Sequence, residues 1–193
     1  MWLQPLAAEH TDGIVALANS DRSTFEWIDV PSTVADVKAI LDVVDGQPDP
    51  VQTMTFVQQR ITDAVVVGMT NFLNIERWNG PDHGPTSVEI GNSWLSTDAL
   101  ASPIDTESKL LLMTHAFEHW NVVRVQFRTD ARNDRSRRAL TRIGAHFEGV
   151  LRNAQPGTGE IGRGSPRDTA VFSVIATEWQ DIKAGLIARV GAA

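Results

Sequence analysis

The feature that most constrains this chain is a pair of β-rich runs set either side of a two-residue turn. Val51 to Ile61 alternates and is rich in Val, Thr and Phe, Ala64 to Phe72 is a second such run, and Thr62-Asp63 reads as the hairpin turn between them. The sheet therefore starts antiparallel, and the helices before it must pack on it. Thr11 to Asn19 reads as a short helix capped by Thr11 or Asp12, after an extended start at Trp2 to Leu6. Ser32 to Val44 is a second helix, with Val34, Val37, Ile40, Leu41 and Val44 at helical spacing and a stop at Asp45-Gly46-Gln47-Pro48. Its apolar stripe is expected to face the sheet.

Beyond the hairpin, Glu76 to Thr86 is turn-forming and reads as an exposed loop, and Val88 to Leu95 resumes as a strand. Asp105-Thr106-Glu107 opens a helix over Ser108 to Trp120, whose leucines and Phe117 are dense enough to predict deep burial. Val122 to Thr129 is a strand, Asn133 to Ile143 a helix ended by Gly144, Phe147 to Arg152 and Thr169 to Ile175 are strands, and Glu178 to Val190 a final helix. The glycine-rich patch Pro156 to Gly164 reads as a mobile hairpin loop between the last two strands. The order predicts an α/β (α+β) fold with a mostly antiparallel sheet and helices on both faces. No linker or repeat divides the 193 residues, so one domain is expected.

Composition removes several function classes. Cysteine is absent, which excludes disulfides and thiolate nucleophiles and fits a reducing compartment; tyrosine is absent too, so any catalytic acid is another group. No apolar run is long enough to span a bilayer and the start lacks a basic, then apolar, leader, so a soluble cytoplasmic protein is expected. A net charge of −7 disfavours nucleic acid as a partner. Against that acidic background Arg124, Arg128, Arg132, Arg135, Arg137, Arg138 and Arg142 crowd one stretch, which points to a local anion site, although for individual members a solvated helix face is the commoner account. His115-Ala116-Phe117-Glu118-His119 has the spacing of an inverted zincin motif, but no third ligand is evident and its apolar flanks read as core packing, so no metal is expected.

Five segments in order carry a resemblance to a known family: Glu89 to Leu95, Thr106 to Leu112, Thr129 to Ser136, Gly144 to Arg152 and Arg167 to Ala170. From Val88 to Trp179 the chain resembles the branch of the GCN5-related N-acetyltransferase (GNAT) superfamily that includes the ribosomal-protein N-terminal acetyltransferases. The resemblance implies a sheet splayed between the strands at Val88 to Leu95 and Val122 to Thr129, with acetyl-CoA as co-substrate in the wedge and an acceptor amine approaching from the opposite side. It implies that Trp94, Leu95, Ser96, Leu100, Ala101, Ser102, Ile104, Asp105, Thr106, Asn133, Arg135 and Ser136 lie along the cofactor, and that the amine attacks the thioester directly. A helix N-terminus at Asp105 to Ser108 suits the pyrophosphate.

On this reading Glu89 is the candidate base and Ser136 the candidate acid or thiol-orienting group, with Gly91 and Ser93 on the face of Glu89 by alternation. A strand carboxylate paired with an arginine is the competing account of Glu89, and helix capping that of Asn133. Trp27, Trp78 and Trp94 read as core or pocket wall rather than as stacking platforms, and Trp94 alone is expected in the pocket wall. The chain departs from the family at Leu100-Ala101-Ser102-Pro103-Ile104, where spaced glycines usually wrap the pyrophosphate; Pro103 removes an N–H donor and Ala101 narrows the backbone's choices. It has Leu140 where many relatives carry a catalytic tyrosine. The second reading is accordingly a GNAT-shaped binding or assembly module without catalysis, and a metal hydrolase the third. The acceptor and the oligomeric state are not legible in the sequence, although dimers are common among similar proteins.

Overall fold

A computed structural model describes residues 1–47, 52–100 and 102–192; the expected strand start at Val51 and the Ala101 site residue lie outside these. The strands are β1 (Trp2–Pro5), β2 (Met54–Gln59), β3 (Val66–Glu76), β4 (Ser87–Leu95), β5 (Arg124–Asp130), β6 (His146–Pro156) and β7 (Pro166–Ile175). They form one sheet in the order β1-β2-β3-β4-β5-β7-β6, in which every neighbour is antiparallel except the β4–β5 pair. The helices are α1 (Thr11–Ala18), α2 (Val34–Asp45), α3 (Thr97–Leu100), α4 (Ile104–Thr114), α5 (Asp134–Arg142), α6 (Gly159–Gly162) and α7 (Trp179–Gly191).

The strand alternation sorts the core into two layers. On one face Ile14, Ala18 and Val37 of α1 and α2 pack against Val57, Val66, Met69 and Trp94. On the other, Leu112 and Met113 of α4, Leu140 of α5 and Trp179 and Leu186 of α7 cover Val88, Ile90, Val125 and Phe127. The expected α2 thus faces the sheet, opened by a capping box: Asp36 N–H donates to Thr33 Oγ1 at 3.1 Å and Thr33 N–H to Asp36 Oδ2 at 2.9 Å. Helix α5 ends as predicted at Gly144, whose φ of +93° closes a Schellman turn in which Ala145 N–H reaches Leu140 O at 3.1 Å.

Three expectations are corrected. The helix expected over Ser108 to Trp120 begins at Ile104 and widens into a π-helical turn over His115–His119; it is only half sunk, because Leu111 points outward while Lys109 is buried. Trp78 lies neither in the core nor in a pocket wall but is exposed on its loop, with its indole N–H donating to Glu76 at 3.0 Å. The patch expected as an open mobile loop instead forms α6 and docks on residues 26–29: Thr158 Oγ1 donates to Trp27 O, Ile161 N–H to Glu26 O, and Arg163 pairs with Asp29.

Across the β5, β7 and β6 edge, Glu148 accepts both Arg124 guanidinium nitrogens at 2.6 Å and the Ser173 hydroxyl at 2.7 Å. The Arg124 hydrogen bonds, helped by Ser173, hold its carboxyl down at about 2. A depressed folded-state value means that this carboxylate stabilises the fold above the ordinary value of 4.5, and that the contribution drains away as pH falls from there to about 2. Glu148→Gln is therefore expected to lower the melting temperature at neutral pH, with the gap to wild type closing as pH falls through that window. Thermal unfolding followed by circular dichroism at a series of pH values checks this; a gap independent of pH overturns it.

Candidate active site

The wedge is built by a pairing that starts and then stops. β4 and β5 are in register at Ser87 with Arg124, Val88 with Val125 and Glu89 with Gln126, and no further. From Ile90 onward the edge of β4 that faced β5 has no strand opposite, so its outward N–H and C=O groups face an opening. The strand bends away because of a bulge: Met69 pairs with Trp94 and Asn71 with Gly91, which leaves Thr70 opposite both Asn92 and Ser93, and Asn92 adopts φ +47°.

The bulge also corrects the face assignment. Gly91 shares the face of Glu89 as expected, but the slip turns Ser93 to the other side, where its hydroxyl meets Thr70 Oγ1 at 2.7 Å and Lys109 Nζ at 3.0 Å. Trp94 is brought onto the Glu89 face instead, edge-on to Phe25 with ring centroids 5.3 Å apart.

A cavity of about 580 Å³ fills the opening and crosses the sheet. On the α4 and α5 side it is walled by Asp105, Thr106, Lys109, Asn133, Ser136 and Leu140, and on the opposite side by Thr24, Trp27, Trp94, Arg128 and Arg167. Leu95, Leu100, Ser102 and Arg135 also line it. Ser96 and Ile104 do not: Ile104 packs with Val67, Leu95 and Ala99 in a small apolar cluster, and Ser96 sits beneath the α3 turn, its carbonyl accepting Leu100 N–H. Trp27 joins Trp94 in the wall, where only Trp94 is expected, with the Arg132 guanidinium 5.2 Å from its ring centroid.

At the α5 end Asn133 does serve as a cap, its Oδ1 accepting Ser136 N–H at 3.0 Å, while both residues face the cavity. At the α4 end the first turn presents N–H groups without intrahelical partners, and Ile104 N–H is taken by Ser102 Oγ at 3.3 Å. The buried Lys109 ammonium, held by Ser93 and by Asp105 Oδ1 at 3.3 Å, adds a cation there. No local pattern singles out Lys109, because only the helix's seating turns it inward.

Glu89 is buried just behind the wall, at the last paired step of the wedge. Its two oxygens differ. Oε2 accepts Asn74 Nδ2 at 3.0 Å and Gln126 Nε2 at 3.4 Å and lies 3.5 Å from Arg128 Nε. That last approach is an ion pair by distance without hydrogen-bond alignment, since Arg128 Nε is buried and makes no hydrogen bond. Oε1 accepts no hydrogen bond among the described residues and lies beside Gly91, 3.1 Å from where a Cβ would stand, so a cavity-lining residue without a side chain leaves it uncovered.

The arginine stretch is divided among several tasks. Arg124 pairs with Glu148 away from the opening, Arg132 with Asp130, Arg135 donates to Thr24 O at 2.6 Å, and Arg137 donates to Ala131 O. In the zincin-like segment Glu118 accepts Lys183 Nζ and Trp179 Nε1, the two histidines lie 5.2 Å apart, and the described residues contain no group of three metal-ligating side chains. No helix among them is long and apolar enough to cross a membrane.

A mostly antiparallel sheet opened between its one parallel pair, with helix N-termini on one side of the opening, is the architecture of an N-acetyltransferase. The sequence profile of the Acetyltransferase (GNAT) domain matches residues 1–146, and the chain belongs to that family. Among solved structures it is similar to a GCN5-related N-acetyltransferase from Brucella melitensis, with 28% identity, TM-score 0.81 and coverage of 97% of this chain and 81% of that one. It shares its fold with Mycobacterium smegmatis RimJ in complex with CoA-disulfide, at 20% identity and TM-score 0.79 over 97% of this chain and 88% of that one. The ribosomal-protein-S5-alanine acetyltransferase from Vibrio fischeri also shares the fold, at 17% identity and TM-score 0.71 over 92% and 93% of the two chains. No curated protein is matched at a significant level.

Proposed function

We propose that the protein moves the acetyl group of acetyl-CoA to a primary amine, by direct attack within a ternary complex. The observation that carries this is the cavity crossing the sheet at the wedge, with the uncovered Oε1 of Glu89 directly behind its wall. The α4 and α5 side offers helix N–H groups, Lys109, Asn133 and Ser136 to the phosphates and pantetheine. The opposite side, beneath Trp27 and the docked α6, receives the amine. There Glu89 Oε1 takes one proton from the ammonium through water, the neutral nitrogen adds to the thioester carbonyl, and as the tetrahedral intermediate collapses the second nitrogen proton passes through the Ser136 hydroxyl to the departing sulfur, leaving amide and CoA thiol. The acceptor is a protein N-terminus or a small molecule. A dimer, common among similar proteins, and a cytoplasmic location complete the reading.

Isothermal calorimetry with acetyl-CoA and with CoA tests the reading first. Micromolar binding is expected, because Lys109 and the α4 turn offset the missing glycines and the lost Pro103 donor. No heat at millimolar ligand would sink the transferase and leave a binding module on the same fold. An amine screen by thiol release then separates an active enzyme from a CoA-binding protein without catalysis.

A further inference from the structure

The acceptor side of the cavity holds a cation that the fold does not neutralise. Arg167 projects from β7 on the same sheet face as Glu89, Arg128 and Asp130, as the pairings of Asp130 with Thr169 and of Arg128 with Val171 require. Its Nε donates to Thr169 Oγ1 at 3.1 Å, and among the described residues no carboxylate lies within ion-pair distance of its guanidinium. Asp130, the nearest acid on its strand neighbour, is already occupied by Arg132, with contacts of 3.0 and 2.8 Å. Arg128 stands in the same wall, its Nε buried and without a hydrogen bond. Burial and the neighbouring Arg128 both disfavour the charged form of Arg167, partly offset by Asp130 and Glu89. Two like charges kept in one half-buried wall, one without a counter-ion and the other incompletely bonded, leave an unfilled place for an anion.

We infer that Arg167, with Arg128, recognises an anionic group carried by the acceptor itself, so that the substrate class is amines bearing their own carboxylate or phosphate. The inference rests on the transferase reading above. A zwitterion fits the charge layout of this half of the cavity: its ammonium goes to the Glu89 carboxylate and its anion to the guanidinium pair. A carboxylate or phosphate takes a bidentate pair of N–H donors from Arg167, whose two terminal nitrogens have no partner among the described residues.

The test compares acetyl-CoA-dependent thiol release for α- and ω-amino acids, each against its amide, and for phosphoethanolamine against ethanolamine. The anionic member of each pair is expected to be favoured in kcat/KM, and the better of the two series tells carboxylate from phosphate. In Arg167→Gln that preference is expected to collapse by about 10- to 100-fold, the worth of a charge-assisted contact, through KM of the amine. Equal use of neutral and anionic amines by the wild type overturns the inference, as does an Arg167→Gln enzyme whose main defect is weaker acetyl-CoA binding. A second arm needs no turnover: succinate and inorganic phosphate are titrated into wild type and Arg167→Gln, with and without CoA. Absent or Arg167-independent anion binding overturns the anion site, whereas Arg167-dependent binding in a protein that acetylates no amine counts against the transferase reading alone.

Discussion

Glu89→Gln is expected to lower kcat by about 10²- to 10⁴-fold, the usual worth of a positioned general base, while acetyl-CoA affinity stays within about twofold. The side chain lies behind the cavity wall rather than in it, so the cofactor loses no contact. The amide keeps the size of the carboxylate and retains one oxygen for Asn74 and Gln126. Steady-state kinetics over pH, with calorimetry as the binding control, checks the expectation. A base role removes the acid limb of the kcat/KM profile along with the rate; a purely structural role lowers the melting temperature and leaves the profile's shape alone. Retention of wild-type kcat would transfer the proton to another group.

The second large effect is on the fold. A Cβ added at Gly68 would stand 2.2 Å from Trp94 O, 2.6 Å from Leu95 Cδ2 and 2.8 Å from Gln58 Oε1. The first of these is backbone on the neighbouring strand and cannot rotate away. Gly68→Ala is therefore expected to cost about 3 kcal/mol or more and to lower the melting temperature by roughly 6–12 °C, because overpacked strands must separate. Trp94 and Leu95 are also cavity wall, so acetyl-CoA binding should weaken in the protein that remains folded. Thermal unfolding and calorimetry read the two consequences separately. A variant as stable as wild type would mean that β4 can shift without loss, and that the wedge is softer than its packing implies.

The order of strands and helices was legible because each element has a local period and a local stop. Thr33 and Asp36 at the start of α2, and Gly144 at the end of α5, act within a few residues, and both behave as their neighbours dictate. The wedge-side residues Trp94, Leu95, Asp105, Thr106, Asn133, Arg135 and Ser136 were reachable through ordered motifs. Alternation alone puts Ser93 on the wrong face, since a bulge depends on how one strand meets the next and leaves no period of its own. Lys109 and Arg167 could not be told from other basic residues, because which cation is turned into the cavity wall depends on how the helix or strand that carries it is seated. The patch at Pro156 to Gly164 looked mobile by composition, yet Glu26 and Trp27, far away in sequence, supply the carbonyls that hold it.

What the sequence determined alone is therefore the list of elements, their caps and the family to which they belong, since these follow from interactions within one turn or one strand. What only the tertiary structure decided is where the sheet opens, which oxygen of Glu89 is left uncovered, and that Arg167 stands in the acceptor-side wall with no ion pair among the described residues. Those depend on strand register and on contacts between residues as distant as Arg135 and Thr24, and such contacts are fixed by packing rather than by any local pattern.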